Sequence, residues 1–77
     1  MPQRLWRQHL LDVIAATERH ISQSDRHISE QYDRIAWMEA NGCETVKSKE
    51  LLQTFIAIRG SHCSHRERLF RELDAVK

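Results

Sequence analysis

Seventy-seven residues with two Gly, one Pro and two Cys make one domain at most and leave little chain for loops. Charged residues at 30% and apolar residues at 40% are the mixture of water-soluble amphipathic helices. Twelve Lys+Arg against eleven Asp+Glu leave a net charge of +1, which excludes strong general attraction to nucleic acid or acidic membranes.

The opening stretch from Met1 to Arg7 leads into no apolar signal core. The longest apolar run, Val13 to Ala16, falls far short of the about 20 residues that span a bilayer. No membrane association and a cytoplasmic location are therefore expected. No Gly or Pro occurs from residue 3 to 40, and Leu10, Ile14, Ile21, Ile28, Ile35 and Met38 recur at helical spacing. The spacing predicts a first helix over about 3–40. Four isoleucines, Ile14, Ile21, Ile28 and Ile35, fall seven apart, and Arg-His-Ile-Ser occurs twice in that register, at 19–22 and 26–29. Seven residues are two helical turns, so the isoleucines form one stripe that needs a packing partner along its length. The softest point is Ser22 to Asp25, whose side chains compete for backbone hydrogen bonds, yet the heptad register runs through it.

Asn41-Gly42 is a helix stop, because Gly supplies the left-handed conformation just past a C-terminus. A turn over about 41–45 and a second helix over about 45–76 follow, starting at Thr45 or Cys43 with Glu44 and Glu50 near its positive end. That helix carries Leu51, Leu52, Phe55, Ile58, Leu69, Leu73 and Val76, with Gly60-Ser61 in its middle. One domain over 1–77 is expected, an all-α antiparallel two-helix hairpin of coiled-coil type.

Folding the chain at Gly42 sets Met38 against Val46, Ile28 against Phe55 or Ile56, Ile14 against Leu69 or Phe70, and Leu10 against Leu73. The middle is polar instead. Ser24 and Thr17 come opposite Arg59 and Arg66, and Ile21 opposite His62. Polar groups at seam positions specify register and partner number at a cost in stability. The expected packing residues are Leu10, Ile14, Ile21, Ile28, Ile35 and Met38 on the first helix. On the second they are Leu52, Phe55, His62, Leu69 and Leu73. Trp6, Leu11, Tyr32, Trp37, Ile56 and Ile58 lie partly off this seam, and one hairpin does not cover them. A homodimer forming a four-helix bundle is the natural solution, with its parallel or antiparallel arrangement left open.

Five histidines raise the question of a metal. Hairpin pairing draws His20, His62 and His65 toward one another, with Cys63 one step round. Adjacent His62 and Cys63 diverge by about 100° on a helix, and no His-xxx-His or Cys-xx-Cys pair occurs, so structural histidine is the favoured reading. No cofactor is expected. His62 also sits between Phe55 and Leu69 beside Arg59 and Arg66, where burial and cations disfavour an imidazolium, which keeps a pH-responsive protein as an alternative. Cys43 and Cys63, about 30 Å apart if one helix separates them, read as free thiols of a reducing compartment.

Ser24, Asp25 and His27 are the residue types of a hydrolytic triad, but on one helix they point apart. Helix interiors offer no free N–H groups for an oxyanion, and two isolated glycines build no phosphate loop. The expectation is a protein that is not an enzyme. Nucleic-acid binding is the main alternative, since Arg4, Arg7, Arg66, Arg68, Arg71 and Lys77 gather at the open end of the hairpin. Asp12, Glu67, Glu72 and Asp74 at the same end offset most of that charge.

Arg19-His20-Ile21, Arg26-His27-Ile28, Arg34-Ile35, Glu39, Gly42, Thr45, Leu51-Leu52, Phe55 and His65-Arg66-Glu67-Arg68 together resemble a group of small helical-hairpin proteins of unknown function from rhizobia and related proteobacteria. The resemblance covers about residues 17–70 and implies a bacterial helical hairpin. It implies no activity or ligand. Cys43 and Gly60-Ser61 depart from the pattern. The reading of the whole is a non-catalytic cytoplasmic protein-interaction or structural module, with a further protein partner as a possibility.

Overall fold

The structure is a computed structural model that describes residues 2–76; Met1 and Lys77, the latter counted above among the open-end cations, lie outside the described residues. Two helices account for almost all of it: α1 over Gln3–Ala40 and α2 over Val46–Ala75. They pack against each other as an antiparallel hairpin 59 × 15 × 14 Å in extent. Its radius of gyration of 17.6 Å compares with about 12 Å for a compact domain of this length. The protein is a rod.

α1 runs unbroken through Ser22–Asp25. Its C-terminus closes as the Gly at position 42 demands. Gly42 adopts φ 69°, its N–H donates to the Glu39 carbonyl at 3.2 Å, and the Cys43 N–H donates to the Met38 carbonyl at 2.8 Å. This paired pattern satisfies two carbonyls that a helix end otherwise leaves open. At the start of α2 the Thr45 side chain makes no cap; the carboxylate of Glu44 accepts the Val46 N–H at 2.8 Å instead.

On α1 the seam alternates three and four residues through Leu10, Ile14, Thr17, Ile21, Ser24, Gln31 and Ile35, all buried, with Ile28 and Met38 half-buried. On α2 it runs through Ser48, Leu52, Phe55, Arg59, His62, Arg66, Leu69, Leu73 and Val76, of which Leu52 and Leu69 are buried and the rest half-buried. At the open end Leu10, Ile14 and Leu69 form the densest cluster, with Val13, Leu73 and Val76 against it. Val46 differs from its expected place. It is 56% exposed, and Ser48 contacts Met38 instead, with its hydroxyl 3.2 Å from the thioether sulfur. The non-helical residues between Ala40 and Val46 advance the chain differently from a helix. The α2 ladder therefore enters the seam at Ser48 and leaves Val46 on the outside.

Between the apolar ends lies a polar waist. Thr17 returns its hydroxyl to the Val13 carbonyl at 2.8 Å, and buried Gln31 donates from Nε2 to the Ser48 carbonyl at 2.8 Å. Among the described residues no buried side-chain polar atom lacks a partner. Satisfied in this way, polar groups inside a thin core cost little and restrict register.

Candidate functional site

A two-helix rod has two flanks beside its seam, and the heptad positions next to the seam decide what each presents. The first flank carries Leu11, Tyr32 and Ala36 of α1 with Gln53, Ile56 and Phe70 of α2. Near the turn this flank holds a groove of about 460 Å³ lined by Tyr32, Ile35, Ala36, Glu39, Lys49, Leu52 and Gln53. Two ion pairs cross this flank: Glu39 to Lys49 at 3.6 Å, and Asp25 to the Arg59 Nε. The Asp25 carboxylate raises the Arg59 guanidinium above its usual value, by hydrogen bond first and by charge second. Cys63 adds a further push and burial opposes it. Both side chains are about half exposed, so the pair contributes little to stability.

The second flank presents the aromatic and imidazole side chains. His20 stacks on His62 with ring centroids 5.1 Å apart and planes at 16°, and His27 tilts onto Phe55 at 5.7 Å. Trp6 stacks on His9 at 5.5 Å near the open end. Leu51 and Ile58 of α2, with Arg34 and Glu30 of α1, complete this side.

His20 and His62, drawn together as pairing suggests, meet face on. Imidazole lone pairs lie in the ring plane, so two parallel stacked rings aim theirs side by side and not at one ion. Half-buried His65 does not join them: among the described residues no three His, Cys, Asp or Glu side chains come close enough to hold a metal. Ser24 is buried in the seam, Asp25 is held by Arg59, and His27 lies against Phe55, so these three side chains face three different neighbours. Of the open-end cations, Arg4, Arg7, Arg68 and Arg71 are exposed while Arg66 is half-buried in the seam. Cys43 is exposed and Cys63 half-buried, both with free thiols.

Two contacts are absent from the sequence reading. Asp25–Arg59 was signalled by opposite charge one step off the seam, since Arg59 comes opposite the neighbouring Ser24. Gln31–Ser48 had no such signal, because its acceptor is a backbone carbonyl.

No known protein family, characterised protein or solved structure matches this chain. No described helix is long and apolar enough to cross a membrane. The most conspicuous surface feature is apolar. Leu5, Trp6, Tyr32, Trp37, Val46, Leu51, Ile56, Ile58 and Phe70 are each at least 38% exposed, against six buried apolar residues in the core.

Proposed function

We propose that the chain is a non-catalytic protein-interaction or structural module that works as a homodimer, two hairpins forming a four-helix bundle in the cytoplasm of a bacterial cell. The observation that carries this reading is surface area. The rod exposes 5797 Å², where a compact monomer of 9.1 kDa exposes about 4,900 Å². The excess, about 900 Å², is close to the roughly 800 Å² per partner of a stable protein interface. Large apolar side chains stand exposed along both helices, Tyr32, Trp37, Ile56 and Phe70 among them. Covering them offsets the weakness of a core with only six buried apolar side chains.

Size-exclusion chromatography with light scattering tests the reading. A dimer is expected at micromolar concentration, with a melting temperature that rises with protein concentration because folding and association are coupled. A well-folded monomer over that range refutes it.

A further inference from the structure

We propose that the flank carrying Leu11, Tyr32, Ala36, Ile56 and Phe70 is the self-association face, on which a second copy lies antiparallel about a two-fold axis near Gly60. This inference rests on the homodimer reading above and names the surface and geometry it leaves open.

Four features of the flank converge. The first is shape. Ala15, Ser22, Ser29 and Ala36, seven residues apart and all exposed, leave the outer edge of α1 low enough for another helix to approach. The second is Gly60. It sits inside α2, where glycine is less favourable than alanine. A Cβ built on it would meet nothing within 4 Å, so the hairpin itself gives no reason for its small size. A second helix crossing there does.

The third feature is the groove beside Tyr32 near the turn, about 460 Å³ in volume. A two-fold axis across the middle of the rod brings the open end of one copy over the turn end of the other. Phe70, 42% exposed toward the open end of α2, then fills the groove of the second copy. The fourth is charge. Glu67 and Asp74 stand toward the open end of this flank, and Lys49, already paired with Glu39 at 3.6 Å, stands at its turn end, so the antiparallel arrangement keeps the two acidic open ends apart and sets each over a neutral pair. A parallel arrangement would instead set Glu18 against Glu67 of the second copy.

The opposite flank also exposes Trp6, Leu51 and Ile58, and it is the poorer candidate on grounds of charge. Covering it would desolvate His20, His27, His65, Arg34 and Arg68 with few acids to meet them. On the proposed face Asp25 and Glu39 already hold Arg59 and Lys49.

Ile56 and Ile58 provide the test, since they are similarly exposed at 38% and 45% but lie on opposite flanks of α2. Ile56→Glu is expected to raise the dimer dissociation constant about 100-fold or more, and Ile58→Glu to change it less than about threefold. Circular dichroism of both variants confirms that each remains helical. A second measurement reads orientation. Zero-length carbodiimide cross-linking of the unaltered dimer is expected to join Lys49 to Asp74 or Glu67. Lys49 and Asp74 lie about 37 Å apart along one helix, so that link forms only between copies. A dimer broken by Ile58→Glu and spared by Ile56→Glu overturns the face while the homodimer stands. Loss in both variants overturns it in favour of unlike flanks meeting head to tail. A covalent dimer without the link overturns the antiparallel arrangement, and a monomeric parent protein overturns this inference together with the homodimer.

Discussion

The open end and the waist of the hairpin share one heptad register and are built on opposite principles. At the open end Leu10, 1% exposed, packs with Ile14 and Leu69 in a dry cluster. At the waist Ile21 is the lone buried aliphatic layer, with Thr17 and Ser24 on its own helix and half-buried His62 and Arg59 opposite. The first arrangement supplies free energy through apolar burial. The second restricts how the helices slide, because each polar side chain is content in few positions. A rod this thin depends on both. Its length gives many registers to choose among, and its small core gives few ways to penalise the wrong ones.

The sharpest way to break this comparison is to truncate one residue in each region. Leu10→Ala removes a fully buried aliphatic side chain and is expected to cost about 2–4 kcal/mol. Thr17→Ala removes a hydroxyl whose only hydrogen bond returns to its own helix, and the expected cost is about 1 kcal/mol or less. Urea titration followed by circular dichroism at one protein concentration measures both. Equal losses would mean that the waist stabilises as much as the apolar end, and the division of labour would fail.

The turn that sets the two regions in register comes next. Gly42 holds φ 69°, where an L-residue with a Cβ is strained by about 1–2 kcal/mol. Gly42→Ala is expected to lower stability by that amount even though a Cβ there meets no neighbour within 4 Å. Thermal melts check it. A loss below about 0.5 kcal/mol would show that the turn relaxes into another conformation.

Much of the hairpin was legible because its seam obeys a period. Ile14, Ile21 and Ile35 are buried where a repeat of seven sets a stripe, and Gly42 turns the chain where a helix needs a left-handed residue. Pairing near the turn was less legible. Val46 and Ser48 both look available to Met38 from a constant fold point, and only the path of the five non-helical residues puts Ser48 there. The alternatives left open farther along resolved by the same ladder: half-buried Phe55 and buried Leu69 take the seam, leaving Ile56 and Phe70 on the flank. Directional contacts were least legible. A spacing shows that His20 and His62 meet but not that their rings stack, and a side chain bound to a backbone carbonyl leaves no trace in residue type.

Gln31 sharpens the contrast further, since it is polar, 4% exposed and bonded across the seam. Gln31→Leu removes a donor from the Ser48 carbonyl, which sits in the first turn of α2 and keeps its place in the helix ladder. The expected change in stability is small, within about 1 kcal/mol and of either sign. The informative readout is specificity. Light scattering is expected to show a broader set of oligomers for Gln31→Leu than for the parent, as when a polar seam residue is made apolar in a coiled coil. A single species of unchanged mass would show that Gln31 does not restrict association.

The smallest expected effect belongs to the waist's surface. Asp25→Asn breaks the ion pair with Arg59, whose side chains are 54% and 42% exposed. Exposed pairs contribute little, so only a small loss is expected in dilute buffer. That loss should vanish near 1 M salt, where screening acts within about 3 Å. The sign with pH follows from the raised guanidinium of Arg59. A cation whose folded state holds its proton more tightly contributes fully below its ordinary titration range and loses the contribution only as pH climbs through the raised value. Arg59 therefore adds nothing to any pH dependence near neutrality. If the Asp25→Asn loss instead persists in high salt, the waist stabilises through its rim as well as through register, and the contrast with the open end narrows.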